Sequence, residues 1–427
     1  MKVGLVVDNP RRDLIGLTLL GSELINQGHD VLIIPMNLAF YEIPFHQPDY
    51  LLLPGFRKTS LPIYTERFNL GINLGIMETE GAFYLESSHR MQILEDSPKV
   101  NDIISHYFVW GQSYKNILLE TKTIDKQKIF VTGNPKIDIT QKLPLQSNIK
   151  DSVLFCSNFT MVSGNELNTS MVDSFEAKGI KNALSFYSGL ENMKKEFIEL
   201  ANLLDKKGVN VIFRPHPFED LDFYKNAFID SNINIDVASS PIESIDKSSI
   251  TIQNSSTTGV EAILRNVPTV IPDYIANGYK IETIRGVSYL AKSRDEVLDF
   301  IKQAQDKKLD SKKESDALND VVFLKNDMNS AHLIAKEISK TAPREKSKKP
   351  DVSLRYALKK QLKAIVKLPL ERNSFKKYVL SNRMKDWDNS YKFFNKQSVE
   401  DQLSQLNIES SVVSEVPKSR SILMTKK

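Results

Sequence analysis

The chain alternates short apolar runs with longer segments whose apolar residues recur at helical spacing. The run VGLVV at residues 3–7 predicts a buried strand, and Leu17 and Leu20 lie on one apolar face of the helix predicted after it. Gly28 follows where that helix is expected to end, and VLIIP at 31–35 predicts the next strand. A strand, a helix and a second strand in this order predict a βαβ unit.

The same alternation continues through two successive segments of the chain. Continuous apolar strands separated by helices indicate parallel sheets that are covered on both faces. We therefore predict an α/β protein with two domains, at residues 1–145 and 146–340, joined by a polar hinge near 140–150 and followed by an extension at 341–427. The further predicted strands lie at 50–54, 68–76, 107–111 and 129–133 in the first segment, and at 152–157, 211–215, 249–254 and 269–272 in the second. Helices are predicted at 191–205 and at about 329–340, and the latter is expected to close the second domain.

Length and composition agree with a globular protein of two or three domains. The chain has 427 residues, of which 41% are hydrophobic and 26% are charged. It contains no apolar run long enough to predict a membrane-spanning helix, and its start, MKVGLVVDNP, does not resemble a secretory leader. Its single cysteine, Cys156, excludes an internal disulfide and a site built from several cysteines. These features predict a cytoplasmic protein.

The charge is distributed unevenly along the chain. Residues 341–400 hold 16 Lys and Arg against 6 Asp and Glu, whereas the first 340 residues carry a net charge of −7. An acidic body argues against a nucleic-acid partner. A basic amphipathic helix is predicted at 352–368, and such a helix favours contact with the anionic inner face of the plasma membrane. The alternatives are a solvated extension or a helical surface for a partner protein.

The segment RPHP, from Arg214 to Pro217, directly follows the predicted strand VIF. Ligands of open α/β sheets bind beyond the carboxyl ends of the strands, so His216 lies where a ligand is expected. Its imidazole can donate to a phosphate oxygen, Arg214 adds positive charge, and the flanking prolines fix the backbone. The alternative is a strand-end histidine that only caps a loop.

A second candidate segment, NSSTTGVEA, connects a predicted strand to the start of a helix. The first turn of a helix presents N–H groups that suit a phosphate, and Gly259 would permit close approach of the backbone. Glu261 is placed to accept hydrogen bonds from ribose hydroxyls. The alternative is an ordinary helix cap. The remaining polar residues of the segment are Asn254, Ser255, Ser256 and Thr257.

The third candidate segment is METEG, after the strand predicted at 68–76. Glu78 and Glu80 alternate along the chain, and neighbouring carboxylates raise one another's pKa. One of them can then act as a general base that deprotonates an attacking hydroxyl. We prefer Glu80, because Gly81 beside it leaves room for an acceptor. The alternative is a solvated acidic turn.

Four further residues lie at predicted strand ends. Ser157 and Asn158 follow the first strand of the second domain and are predicted to contact a bound nucleotide. Asp8 and Arg11 follow the first strand of the chain and are predicted to line the acceptor side. For both pairs the alternative is an ordinary loop without a ligand.

Together these segments resemble a known class of enzymes. The strand–RPHP element and the helix opened by NSSTTGVEA resemble the donor half of GT-B-type glycosyltransferases. With the VTGNPKID turn and the METEG segment, residues 1–340 are more narrowly similar to bacterial surface carbohydrate biosynthesis proteins. The motifs are akin to those of polysialyl- and Kdo-transferases, which use CMP-activated sugars, and to those of CDP-glycerol glycerophosphotransferases.

The resemblance implies two Rossmann-like domains facing across a cleft, plus a basic helical extension. It assigns His216 and Pro217 to the donor phosphate with help from Ser255 and Ser256, places Glu261 near the ribose and makes Glu80 the base. Thr79 departs from the family pattern, which has a carboxylate there. A CMP-, CDP- or UDP-linked sugar would be the donor, without a tightly bound cofactor or metal.

We therefore predict a nucleotide-sugar-dependent glycosyltransferase of surface polysaccharide biosynthesis. It would transfer a sugar, with a CMP-activated acidic sugar preferred, to a growing glycan or a lipid-linked acceptor at the cytoplasmic face of the membrane. Three alternatives stay open at this stage: a CDP-glycerol-type glycerophosphotransferase, a sugar-nucleotide epimerase of GT-B fold, and a non-enzymatic scaffold subunit.

Overall fold

The computed structural model divides the chain into two compact units. The first takes its described residues from Met1–Gly81, 100–139 and Val322–Lys427, and the second takes them from Thr140–Val321. The structure describes residues 1–56, 60–79, 81, 100–120, 124–145, 150–162, 183–216, 219–254, 256–275, 282–309, 318–323, 330–346, 394–417 and 419–427.

The strands occur at most of the apolar runs that the sequence pattern marks. They are β1 (Lys2–Val7), β2 (Asp30–Pro35), β3 (Tyr50–Leu53), β4 (Asn73–Met77), β5 (Ile104–Val109), β6 (Ile129–Val131), β7 (Ser152–Cys156), β8 (Val211–Arg214), β9 (Asn234–Ile235), β10 (Ser248–Gln253), β11 (Thr269–Pro272), β12 (Tyr289–Ala291), β13 (Ser411–Glu415) and β14 (Ile422–Lys426).

Helices occupy the intervals between the strands. They are α1 (Pro10–Asn26), α2 (Met36–His46), α3 (Leu61–Asn69), α4 (Val100–Ile103), α5 (Gln112–Glu120), α6 (Pro135–Lys142), α7 (Ala183–Lys206), α8 (Leu221–Ala227), α9 (Pro241–Asp246), α10 (Thr258–Leu264), α11 (Glu282–Gly286), α12 (Arg294–Gln305), α13 (Ser330–Ser339) and α14 (Lys396–Gln405).

The first unit is built on an eight-stranded sheet in the order β13-β14-β2-β1-β3-β4-β5-β6. Strands β1 to β6 pair in parallel, as their continuous apolar sequences predict. Helix α1 begins at Pro10, where the Asn9 side chain accepts a hydrogen bond from the Arg11 amide at 3.1 Å. Its buried residues, among them Leu17, Leu20 and Leu24, pack on this sheet.

The end of the chain returns to this first sheet. Strand β14 pairs antiparallel with β2, and β13 pairs antiparallel with β14. Helix α14 buries Val399 and Leu403 in the same core as α1. Residues 394–427 lie within the extension predicted at 341–427, but short strands do not reveal a partner that is distant in sequence, and these residues pack on the first sheet. The basic helix predicted at 352–368 lies outside the described residues.

Helix α13 also differs from expectation. An amphipathic helix was predicted at about 329–340 and was expected to close the second domain. It forms, but Ala331, Ile334 and Ile338 pack into the core of the first unit beside α1. Asp138 fixes its start, since Asp138 Oδ1 accepts from Ser330 Oγ at 2.9 Å. The VTGNPKID turn therefore holds the first turn of a helix that is distant in sequence.

The second unit is built on a six-stranded parallel sheet in the order β12-β11-β10-β7-β8-β9. Helix α7 has apolar residues at helical spacing, including Tyr187, Leu190, Phe197 and Leu204, and all four are buried against the sheet. The predicted helix at 191–205 is therefore confirmed, although it begins earlier, at Ala183.

None of the helices that the structure describes is both long and apolar enough to cross a lipid bilayer. Within the same residues, no three or more His, Cys, Asp or Glu side chains are grouped so that they would hold a metal ion.

Candidate functional site

The strand order of the second unit brings the predicted donor residues to one edge of the sheet. Strand β7 is central, with β8 on one side and β10 on the other. Cys156, at the end of β7, is in register with Arg214 of β8 and Gln253 of β10. The segments that carry Ser157, His216 and Asn254 therefore leave the sheet at the same level.

The sheet also changes its direction of growth at this point. The chain adds β8 and β9 on one side of β7 and then adds β10, β11 and β12 on the other. Such a topological switch opens a crevice beyond the carboxyl ends of the two strands, and ligands of open α/β sheets bind there. In this unit the switch lies between β7 and β10, so the strand order predicts a crevice between the segments that follow these two strands.

A buried acid, Glu219, connects two of these segments. Its Oε2 accepts from Ser157 Oγ at 2.8 Å, and its Oε1 accepts from the Phe159 amide at 2.6 Å. The Tyr224 hydroxyl also donates to the Glu219 carboxylate. Burial raises the pKa of Glu219, although these hydrogen bonds oppose the rise. Glu219 was not selected in the sequence analysis, where it was only a charged residue after RPHPF.

Gln253, the last residue of β10, shapes the start of the second segment. Its Oε1 accepts from the Ser256 amide at 2.7 Å, and its Nε2 donates to Ser288 Oγ at 3.0 Å. A Cβ atom added to Gly259 would lie 2.7 Å from Gln253 Nε2. The lack of a side chain at Gly259 therefore makes room for the Gln253 amide within the protein, whereas the sequence analysis explained this glycine by the approach of a ligand.

Asn254 is the least satisfied polar residue at this edge. The residue is 1% exposed, and no hydrogen-bond partner for its Oδ1 or Nδ2 occurs in the described parts of the chain. A buried amide without partners is costly, so such a group is normally paired with a ligand or an ordered water. Beyond it, helix α10 begins at Thr258, and Glu261 on that helix is buried.

Arg214 lies in a polar network inside the second unit. Its Nη1 is 2.9 Å from Asp236 Oδ2, and its Nη2 donates to the Ser239 carbonyl at 2.7 Å. Burial alone would raise the pKa of Asp236, but hydrogen bonds from Ser239 and Ser244 and the nearby Arg214 charge lower it to about 2. The Arg214 guanidinium is thus engaged with the loop after β9, and its predicted contact with a donor stays a prediction.

In the first unit, Glu78 is buried in an aromatic surrounding. It is 1% exposed, and its Oε1 accepts from the Tyr107 hydroxyl at 2.8 Å and from the Phe56 amide at 3.2 Å. Trp110 Nε1 donates to the Glu78 carbonyl at 2.7 Å. A Cβ atom on Gly81 would lie 2.3 Å from Trp110 Cδ1, so this glycine permits close contact with the indole ring.

The predicted acceptor-side residues lie at the end of β1. Asp8 Oδ2 is 2.9 Å from Arg12 Nη2, and the same nitrogen donates to Thr79 Oγ1 at 3.1 Å. Arg12 thereby connects the segments after β1 and β4. Arg11 is exposed at the start of α1. Thr79 stands where the family pattern given in the sequence analysis has an acid, and in this chain it accepts a hydrogen bond from Arg12.

The structure thus describes most of the predicted site residues. Ser157, Asn158, Arg214, His216, Asn254, Ser256, Thr257, Gly259 and Glu261 belong to the second unit, and Asp8, Arg11 and Glu78 belong to the first. Glu80, Pro217 and Ser255 lie outside the described residues. The predicted roles of all these residues in catalysis or binding stay predictions.

Comparison with known proteins by sequence found no relative. No protein-family model matches the chain, and no curated protein matches it.

Solved structures with a similar fold do exist. UDP-GlcNAc 2-epimerase from Methanocaldococcus jannaschii, in complex with UDP-GlcNAc and UDP, is 17% identical, covers 80% of this chain and 100% of its own, and has a TM-score of 0.52. A Listeria monocytogenes protein assigned as a UDP-N-acetylglucosamine 2-epimerase is 15% identical, with 81% and 99% covered and a TM-score of 0.51. The wall teichoic acid polymerase TagF is 12% identical, with 79% and 89% covered and a TM-score of 0.49.

The likeness to the two epimerase structures shows the fold. The chain has two Rossmann-like units of the GT-B type, which confirms the predicted fold class. At identities of 17% and 15% the likeness does not extend to activity.

Proposed function

We propose that the chain is a nucleotide-sugar-dependent enzyme whose second unit binds the nucleotide, and that it transfers a glycosyl group in surface polysaccharide biosynthesis. The observation that supports this most is the topological switch between β7 and β10. The in-register ends of β7, β8 and β10 lead into Ser157, His216 and Asn254 at that edge. Nucleotides commonly bind at such a position in doubly wound sheets.

The chemistry of these residues suits a phosphate leaving group. When a glycosyl group leaves its nucleotide, negative charge develops on the phosphate, and fixed hydrogen-bond donors stabilise that charge. In this proposal His216 donates to the phosphate from the end of β8. The backbone amides at the start of α10 are further donors, and Glu261 accepts from the ribose. Glu80 stays our predicted base, and Glu78 would support that segment through its contact with Tyr107.

The donor is tested with a panel of nucleotide sugars. The protein would be incubated with CMP-, UDP- and CDP-linked donors in the presence of a lipid-linked glycan acceptor, and nucleotide release would be measured. We expect release from a CMP-linked acidic sugar and its loss in His216→Ala. His332→Ala is the matched control, because His332 is an exposed histidine of the first unit. Turnover of UDP donors alone would reject the CMP preference.

A sugar-nucleotide epimerase is the second candidate. The similar M. jannaschii protein is a UDP-GlcNAc 2-epimerase whose structure contains UDP-GlcNAc and UDP, and the similar L. monocytogenes protein is assigned to the same activity. An epimerase needs no acceptor. Incubation with UDP-GlcNAc alone, followed by NMR of the hexose, distinguishes the two functions. A new 2-epimer without any acceptor would favour epimerisation over transfer.

Two further alternatives from the sequence analysis are tested in the same assays. A CDP-glycerol-type glycerophosphotransferase would release CMP from CDP-glycerol while phosphate appears in the polymer. For a scaffold subunit, a strain carrying His216→Ala would make unchanged amounts of polysaccharide, and the purified protein would release no nucleotide from any donor.

A membrane-bound acceptor also fits the charge of the chain. Residues 347–393 hold 13 Lys and Arg against 4 Asp and Glu, and anionic lipids attract such segments by about 1 kcal/mol per basic residue near the surface. Vesicle sedimentation of the full chain, at low and high salt, tests this. Replacing Lys359, Lys360, Lys363 and Lys367 by Gln should weaken binding to anionic vesicles. Equal binding of both proteins would reject the membrane contact.

A further inference from the structure

The Glu219 carboxylate joins residues from two different segments of the second unit. It accepts hydrogen bonds from Ser157 and Phe159 in the segment after β7, and from Tyr224 on α8. Its own backbone amide donates to the His216 carbonyl at 2.9 Å. One residue therefore connects the segment after β7 with the segment after β8, and both segments belong to the candidate nucleotide site.

The burial of this acid calls for a physical reason. Glu219 is 9% exposed, and a buried carboxylate is costly unless several donors satisfy it. Three donors do so, and the nearby Lys194 ammonium adds an attraction. Lys194 is itself buried, donates to the Val162 carbonyl at 3.2 Å and lies over the Phe223 ring. The arrangement holds two loops in one fixed geometry.

We propose that Glu219 is a positioning residue for nucleotide binding, which fixes the Ser157–Phe159 segment against the His216 segment. This inference rests on the proposed function of the second unit. Glutamine is a poor replacement, because only its carbonyl oxygen accepts hydrogen bonds, whereas Glu219 uses both carboxylate oxygens.

The same contacts define what Ser157 offers to a ligand. A hydroxyl has one proton, and the Ser157 proton is given to Glu219 Oε2 at 2.8 Å. Only acceptor lone pairs of Ser157 then face other groups. Phosphate oxygens are acceptors as well, so Ser157 pairs with a donor on the ligand, such as a hydroxyl or an amino group of the base. The phosphate is left to His216 and the segment before α10.

The test measures nucleotide affinity and loop protection in the full chain. CMP, CDP and UDP would be titrated calorimetrically into the wild type, Glu219→Gln and Asp246→Asn. Asp246→Asn is the matched control. Asp246 is a fully buried acid of the same unit, and it precedes β10, at the amino end of that strand, whereas the candidate site lies at the carboxyl ends. We expect about tenfold weaker binding in Glu219→Gln, as for one lost charge-assisted hydrogen bond. Asp246→Asn should bind within about twofold of the wild type.

Amide hydrogen exchange tests the positioning role of Glu219 in the absence of a nucleotide. In Glu219→Gln the amides of 157–162 and 219–224 should exchange faster relative to the other amides of the second unit than they do in the wild type. Asp246→Asn lowers the stability of the unit as a whole, so it should leave this ratio unchanged. Tyr224→Phe removes one donor and keeps the ring, so it serves if Glu219→Gln fails to fold; its expected effects are smaller and have the same sign. Unchanged exchange in these segments, or unchanged affinity, overturns the positioning role.

The two proposals fail in different ways. If the wild type binds none of the three nucleotides, the proposed function is rejected, while faster exchange in Glu219→Gln would still show that Glu219 holds the loops together. If the wild type binds a nucleotide and Glu219→Gln binds it equally well, the proposed function stands and the role of Glu219 is rejected.

Discussion

Arg265 and Asp246 form a buried ion pair in the second unit, with Arg265 Nε 2.9 Å from Asp246 Oδ1. The same guanidinium donates to the carbonyls of Thr140 at 3.0 Å and Leu143 at 2.6 Å. The Arg265 side chain thus connects residues 140–143, where the chain enters the second unit, to the end of α10. The predicted hinge at 140–150 is, in its described part, held by hydrogen bonds to this arginine.

Removing the arginine should destabilise the second unit strongly. Arg265→Met leaves the Asp246 charge buried without its partner, and such a loss costs about 3–5 kcal/mol. Asp246→Asn keeps an acceptor for the guanidinium, so we expect only about 1–3 kcal/mol. Urea unfolding followed by circular dichroism compares the two variants. Equal stability of Arg265→Met and the wild type would contradict the structural role of the pair.

Gly259→Ala should disturb the segment between β10 and α10. Its Cβ would lie 2.7 Å from Gln253 Nε2, so the amide that holds Ser256 would have to shift. Overpacking of this kind costs about 1–3 kcal/mol, and we expect weaker nucleotide binding as well. Gly286→Ala is the control, because no other atom of the residues that the structure describes lies within 4 Å of its Cβ position. Calorimetric titration and thermal unfolding of both variants would check this, and equal effects of the two changes would refute it.

His106 should make the first unit sensitive to mild acid. Burial lowers the pKa of His106 from 6.5 to about 4; the charge of Glu337 raises it and that of Lys340 lowers it further. Between these two pH values the unfolded chain binds more protons at His106 than the folded chain does. The contribution of the neutral His106 to the free energy of unfolding is therefore complete above pH 6.5 and declines as the pH falls toward 4. The loss at pH 4 is on the order of 2–3 kcal/mol.

The measurement is the free energy of unfolding at several pH values between 4 and 7.5. His106→Gln should flatten the dependence in this window, and it should also lose the contact between the ring and the Tyr50 hydroxyl, 3.1 Å away. His332→Gln, at an exposed position, should leave the slope unchanged. A wild-type slope that persists in His106→Gln would assign the effect to another group.

Glu42 should stabilise the hairpin of β13 and β14 in a pH-dependent way. Its Oε2 accepts from Ser419 Oγ at 2.6 Å, and its Oε1 accepts from the Arg420 amide at 2.8 Å. Burial raises the pKa of Glu42, but hydrogen bonds from His46, Ser419 and Ser421 outweigh it, so the pKa lies below its usual value. The ionised Glu42 carboxylate therefore stabilises the hairpin above the ordinary pKa of about 4.5. This stabilisation is lost as the pH falls through the lowered pKa of Glu42.

Hydrogen exchange of residues 411–426 checks this prediction. Glu42→Gln should expose the hairpin at neutral pH, since an amide cannot accept all of these hydrogen bonds. Glu415→Gln changes an exposed acid on the same hairpin and should have no effect. Protection that stays intact in Glu42→Gln would show that strand pairing with β2 alone fixes the hairpin.

The fold was predictable to the extent that it depends on local pattern. Apolar β-branched runs such as VGLVV and SITIQ identified β1 and β10, and helical spacing identified α1 and α7. The partners of late elements were not predictable. The apolar stripe of α13 shows that this helix must pack on a hydrophobic core, but it does not show which of the two units provides that core. Strands β13 and β14 are short, and β2, which pairs with β14, is hundreds of residues away.

The candidate site was predictable where a motif lies at a strand end. RPHP and NSSTTG follow β8 and β10, and general topology then places them at one edge. The supporting residues could not be found in this way. Glu219 and Gln253 act through contacts with backbone amides, and such contacts depend on how two loops meet. Contact of Gly259 with a ligand stays a prediction, and the sequence did not show that a Cβ atom there would meet the Gln253 side chain.

The pairing of β14 with β2 has a consequence for biosynthesis. A ribosome releases β2 long before it makes Ile422–Lys426, so the nascent first sheet remains without this neighbour until those residues have been made. The described residues of the second unit all lie between Thr140 and Val321, and we expect this unit to mature earlier. Pulse proteolysis of arrested nascent chains would then show a resistant second unit before a resistant first one.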